Sequence, residues 1–267
     1  MNTRSLVSAA VSTAFGAVLT FSGAAAAAFT IDGNLNDWGI NHTTWAPSAG
    51  IHATVEDQTG SGSFFLAPGW GGQAYDAEAL YAQILGNTLY IALATGHNPT
   101  TAQNPGANSY GAGDFAIDFG KNGSYEVGIN VITGGFGVAG GVYGGASWNY
   151  GLWAADGSYN PGNPDTTHPT SLNGGTWLGN ANFAYTTTGA TGYGANAADL
   201  HYFYEISVPT SWLTAAGWDG SSFNIHWTEN CANDSILTDP SRVPEPGSLA
   251  LLGLGLAGLA GIRRRRR

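Results

Sequence analysis

Cysteine is almost absent from this chain. Cys231 is the only one in 267 residues, so no internal disulfide can form and packing must hold the fold together. Positive charge is almost absent from its middle. Of eight Lys and Arg, Arg4 lies near the start, Arg242 and Arg263–Arg267 lie near the end, and Lys121 alone stands between. Residues 29–240 therefore set 17 Asp and Glu against one base, a formal charge of −16, while the whole chain shows −10. Such a surface repels phosphate backbones and excludes nucleic acid as a partner. It suits solubility and can attract cations. Long apolar runs and helical periodicity are also missing from the middle.

What is present divides the chain in three. Over residues 1–28, the polar start with Arg4, the apolar stretch Leu6–Phe21 and the small-residue run Ala24–Ala28 have the order of a secretory signal peptide. The apolar stretch is too short for a stable membrane anchor. Residues 29–240 are long enough for one sizeable core. Residues 241–267 hold Pro244-Glu245-Pro246, then the uncharged run Gly247–Ile262, then Arg263, Arg264, Arg265, Arg266 and Arg267. The prolines keep the start of that segment extended. Its 16 apolar residues would span roughly 24 Å as a helix, marginal for a bilayer core of about 30 Å. Five arginines after it stay on the cytoplasmic side. The expected course is export by the leader and a halt by this tail, a transient topology with the body outside the inner membrane and the C-terminus inside.

The middle reads as all-β. High glycine (41 residues) with 32 aromatics points to short strands and tight turns. Leu80–Leu85 and Thr88–Thr95 flank Gly86-Asn87, a hairpin signal. Asp114–Phe119 alternates and returns through Lys121–Ser124 into Tyr125–Val131. Ile51–Val55, Val142–Trp148, His201–Val208 and Phe223–Thr228 are further strands. Pro209 stops one, and Thr210 or Ser211 could cap a short helical turn. The pattern predicts an antiparallel β-sandwich or jelly roll, plus an N-terminal signal helix and a C-terminal membrane helix. Asn149–Thr191, rich in Gly, Asn, Pro and Thr, is expected to be long loops and an irregular hairpin.

Pro244-Glu245-Pro246 with an apolar span and the terminal arginines resembles the PEP-CTERM sorting signal. The resemblance implies exosortase as a partner and cleavage near those three residues. It also implies delivery to the cell surface or extracellular matrix, in Gram-negative systems that make exopolysaccharide. The body is similar to carbohydrate-binding modules of the family 9-like or DOMON-like β-sandwich. Ile31-Asp32-Gly33, Asp37-Trp38, Leu89–Ala92, Gly113-Asp114 and Tyr204–Pro209 carry that likeness. His226–Thr228 and Cys231–Asp234 look like segments shared among PEP-CTERM surface proteins. The implied role is a non-catalytic module that could bind exopolysaccharide. A secreted glycan-active enzyme and a purely structural matrix or adhesion protein are the alternatives.

Candidate chemistry is sparse. Gly135–Gly140 matches G-x-G-x-x-G but has no βαβ context, so a dinucleotide site is rejected. Asp32–Asp37 begins like a calcium loop but lacks the EF-hand glycine and glutamate, so a turn with Asx hydrogen bonds is expected. No catalytic residue is assigned. Glu126 and Glu205 are the carboxylates a glycan-cleaving reading would use. Trp148, Tyr150, Trp153 and Trp177 are the candidate sugar platform, because rigid rings stack on apolar sugar faces. No cofactor is expected, apart from a structural calcium among Asp76, Glu78, Asp114 and Asp118, with Asp114 and Asp118 the leading pair. The six histidines are scattered.

Overall fold

The computed structural model describes residues 28–57, 72–132 and 135–240. The signal helix, the membrane helix and Pro244-Glu245-Pro246 fall outside the described residues. β1 (His52–Val55) pairs with β2 (Ala77–Leu85), which turns through Gly86-Asn87 into β3 (Thr88–Thr95). The chain then crosses to a second sheet. There β4 (Phe115–Phe119), β5 (Tyr125–Ile129), β6 (Gly141–Tyr150) and β7 (Pro169–Asn180) form a meander. Only Ala181 separates β7 from β8 (Asn182–Tyr185), so one extended run passes from the second sheet back to the first. β9 (Tyr202–Pro209) follows, then α1 (Thr210–Ala215), and β10 (Phe223–Thr228) and β11 (Ser235–Thr238) complete the second sheet. The orders are β1-β2-β3-β9-β8 and β11-β10-β4-β5-β6-β7, and every pairing is antiparallel. The fold is the predicted β-sandwich.

Alternation explains the core. Leu80, Leu89, Ile91, Leu93, Tyr204, Ile206 and Val208 face Phe115, Ile117, Val127, Ile129, Phe223, Ile225 and Trp227 between the sheets. Each such side chain stabilises by about 1.5–3 kcal/mol on full burial. Alternation alone would leave the other face of each strand wet, and here it does not. β2, β3, β4 and β9 are buried on both faces, because the outer faces are covered too. The segment before β1 lays Leu35, Trp38, Ile40 and Trp45 onto Ala79, Tyr81, Ala92 and Phe203.

The expectation of long loops and an irregular hairpin across Asn149–Thr191 is met over residues 151–168 and in the irregular β6–β7 pairing, but it understates the strand content. Twelve-residue β7 and short β8 lie inside it. Four register shifts along β6–β7 explain why no clean period marks them. One shift lies next to Gly145 at φ +58°, and beyond it the β6–β7 ribbon packs Trp148 and Leu172 over Ala116 of β4. Gly128 of β5 makes room: a Cβ there would stand 2.4 Å from Leu172 and 2.8 Å from Trp148. The expected helix cap is not made. The Thr210 hydroxyl donates instead to the Asn87 carbonyl at 3.1 Å.

Glu205, on the outer face of β9, fastens the segment before β1. One carboxylate oxygen accepts the Trp38 indole N–H at 2.8 Å. The other accepts the backbone N–H groups of Asp32, Gly33 and Asn34 at 2.9, 2.7 and 3.1 Å. Gly33 holds φ +83° close against the Tyr185 backbone, which no side chain would tolerate easily. Asp32 and Asn34 accept N–H bonds two residues on, the Asx turn expected from the sequence. Burial raises the Glu205 pKa above the usual carboxylate range, and these hydrogen bonds hold part of that rise back. Glu205→Ala should destabilise the protein by about 2–4 kcal/mol, because it leaves four donors without their acceptor. Chemical denaturation checks this, and a change below about 1 kcal/mol would remove Glu205 as the fastening point.

Candidate functional site

Where the folded-back ribbon meets the start of β4 and the end of β5, there is a cavity of about 710 Å³. Amide side chains line it: Gln103, Asn130, Asn149, Asn173 and Asn230, with the Ser171 hydroxyl and the Phe136 ring. The strands explain the arrangement. Ser147-Trp148-Asn149 on β6 and Ser171-Leu172-Asn173 on β7 each put an apolar residue inward and two polar ones outward. The outward groups hold each other in place. Asn149 Nδ2 donates to Ser171 Oγ at 3.1 Å, Asn173 Nδ2 donates to Asn149 Oδ1 at 3.2 Å, and the Ser147 hydroxyl donates to Asn173 Oδ1 at 2.5 Å. On the opposite wall, Asn230 Nδ2 donates to Gln103 Oε1 at 3.1 Å, while Asn230 Oδ1 is buried without a partner.

Asp114 also lines the cavity, and its carboxylate brackets two segments. Oδ1 accepts the Val131 N–H at 2.7 Å and Oδ2 accepts the Leu172 N–H at 2.8 Å. Burial pushes its pKa up to about 6 against those two bonds. Asp118 does similar work at the β4–β5 turn, accepting from Asn122 N at 3.0 Å and Gly123 N at 2.7 Å. The pairing of Asp114 with Asp118 around one calcium is therefore corrected. Asp114 precedes β4 and Asp118 lies within it, four residues or roughly 13 Å along an extended chain, and each is committed to backbone donors.

The aromatic platform is not assembled as one surface. Trp148 is 9% exposed, and its indole N–H donates to the Tyr125 carbonyl at 3.0 Å. Tyr150 and Trp153 are half-buried. Trp153 donates to Asn233 Oδ1 at 3.1 Å and meets the edge of exposed Tyr159. Trp177 is 57% exposed, but it pairs with Tyr143 on β6, five residues from Trp148 and roughly 16 Å along the strand. Glu126 and Glu205 do not form a pair either. Glu126 accepts the Phe119 N–H at 2.7 Å beside the β4–β5 register slip, whereas Glu205 fastens the other sheet. The Cys231 thiol is buried and its pKa is raised by that burial, so it is no ready nucleophile. Gly135–Gly140 belongs to the β5–β6 connection, away from any helix. His168 and His226 come together unforeseen, with Nδ1 and Nε2 at 3.3 Å.

The amides of the cavity went unread in the sequence, because asparagine serves turns as readily as ligands. The repeated Ser-x-Asn with an apolar centre is the signal that points to them.

Residues 242–267 match the PEP-CTERM protein-sorting motif. The chain carries an exosortase-sorting tail. The motif makes it an exported protein, processed by exosortase and anchored at the cell surface. No curated protein and no solved structure matches the chain, and the likeness of the body to carbohydrate-binding modules rests on its strand motifs alone. Replacing Pro244, Glu245 and Pro246 together by alanine should leave the sorting tail uncleaved and the protein missing from the surface fraction. Immunoblotting of membrane and surface fractions reads the outcome, and normal processing of the triple variant would remove those residues as the recognition element.

Proposed function

We propose that the exosortase-sorted protein is a non-catalytic glycan-binding module that associates with exopolysaccharide at the cell surface or in the matrix. The leader carries it out, and the tail holds it briefly in the inner membrane until exosortase acts. The amide-lined cavity is the observation that supports this reading. Amides offer a donor and an acceptor side by side, which is what the hydroxyls of a sugar ring require. Phe136 adds one apolar surface for a ring face. The volume of about 710 Å³ accommodates a short saccharide and suits small ligands generally. The charge of the body selects among glycans. With −16 over residues 29–240 and Asp114 at the cavity wall, a neutral chain fits better than an acidic one.

Affinity electrophoresis of the exported protein in gels cast with neutral or acidic polysaccharide tests this, with calcium present throughout. Retardation is expected in a neutral polysaccharide. Asn149→Ala/Asn173→Ala should weaken it by roughly tenfold or more, from the loss of two amide groups. Trp177→Ala should leave it unchanged. The reading fails if no polysaccharide retards the wild type, or if the double variant is retarded equally.

A further inference from the structure

Two sheet edges meet where β1 and β2 lie beside β10 and β11, and four acids are gathered there. Glu56 follows β1, Asp76 precedes β2, Glu229 follows β10 and Asp234 precedes β11. Their backbones are pinned. Ala77 N–H donates to Asp234 Oδ2 at 2.8 Å across the two sheets, and Glu56 N–H donates to the Glu78 carbonyl at 2.9 Å. The Asp76 carbonyl accepts the Thr95 hydroxyl at 2.6 Å, and Glu229 bridges to Ala112.

Asp234 is held by two backbone donors, Ala77 N–H on Oδ2 and Ser235 N–H on Oδ1, both at 2.8 Å, but the other three side chains are left unsatisfied. Glu229 is 0% exposed, and neither of its carboxylate oxygens has a hydrogen-bond partner. Both oxygens of buried Asp76 and Oε2 of Glu56 are likewise without one. The N–H groups of Glu229 and Asp234 lie near the Glu229 carboxylate and ease its charge slightly, without bonding to it. Burial pushes all four above the ordinary carboxylate range; the Asp234 charge adds to the rise at Glu56, Asp76 and Glu229, and the Glu78 charge adds to it at Asp76 and Asp234. Among the described residues no Lys or Arg offsets this. Lys121, the only Lys or Arg among the described residues, pairs with Asp239, and His201 is engaged with Glu78 at 3.0 Å.

We propose that Glu56, Asp76, Glu229 and Asp234 bind a calcium ion that joins the two sheets at this edge. Buried carboxylates without partners are costly, and a bound cation removes the cost. The donors are all oxygen, which selects a hard cation over metals that favour nitrogen or sulfur. Calcium tolerates six to eight oxygens at about 2.3–2.6 Å in irregular geometry, whereas magnesium demands an octahedron and keeps its waters. Among the described residues no three His, Cys, Asp or Glu side chains already converge as a finished cage. Closing the shell around an ion therefore requires these side chains to rotate towards one another. Asp76 belongs to the calcium set read from the sequence, while the other three members come from the structure.

The exported protein, stripped with EGTA, is titrated with calcium chloride, with magnesium and sodium chloride at matched ionic strength alongside. Calcium should bind saturably in calorimetry and raise the melting temperature by roughly 5–10 °C well above its Kd, and the other salts should not. Glu229→Gln should abolish the calcium response. If that variant does not fold, terbium luminescence excited through the protein's tyrosines and tryptophans reads the wild-type site, and calcium should displace it. A wild-type melting curve identical in EGTA and calcium overturns the site, as does a calcium response that survives Glu229→Gln intact.

Discussion

A carboxylate buried in this protein has almost no side-chain cation to meet, and the architecture follows from that shortage. Lys121 is the one Lys or Arg among the described residues, and it is spent on Asp239. Backbone N–H groups take its place. Glu205 gathers the N–H groups of Asp32, Gly33 and Asn34, Asp114 joins Val131 to Leu172, and Asp118 closes the β4–β5 turn. Asp57 accepts from the Trp45 indole and from Ala195 N–H. A carboxylate bonded to several N–H groups is held as a charge without a partner ion. Each bracket also fastens a stretch of chain that no strand ladder secures. Acid-rich composition thus becomes a device for pinning irregular segments onto a regular sandwich.

The tryptophans follow from the same arrangement. Covering both outer faces takes large apolar groups, and an indole buried there must place its N–H. Trp38 donates to Glu205, Trp45 to Asp57 and Trp148 to the Tyr125 carbonyl, while Trp227, between the sheets, donates to the Gly113 carbonyl. Rings used in this way cannot also offer a face to a sugar. The outward surface of the folded-back ribbon is left to Ser147, Asn149, Ser171 and Asn173, side chains that offer hydrogen bonds rather than a stacking face.

Strands with an unbroken period of two were readable in advance. Thr88–Thr95 and Phe223–Thr228 have the bounds their alternation predicts, since one face of each must meet the core between the sheets. β7 was not readable, because its register shifts break the period that would reveal it. Its glycines are tied to contacts that a linear reading lacks, such as Gly179 against the Trp212 ring. The covering of the outer faces was hidden for a related reason. Nothing in Leu35–Trp45 states that it packs on Tyr81 and Phe203, and Glu205, which draws it there, lies more than 160 residues away. The sorting tail stood at the other extreme, legible because its signal is local and linear.

The amide cavity and the acid cluster share one loop. Glu229 turns into the acids while the next residue, Asn230, lines the cavity, so the order of two opposite-facing side chains depends on one short stretch between β10 and β11. Glu229 is fully buried and repelled by its neighbours, and it holds that stretch at a cost unless its charge is met. A cation bound there would therefore act on the cavity wall as well as on the sheet edge. Export matters to this coupling. The sorting tail directs the protein out of the cell, where calcium-binding modules are generally tuned to about 0.1–1 mM calcium. On the proposed calcium site, acids left unpaired within the fold would make the body firmest in the compartment to which its tail delivers it.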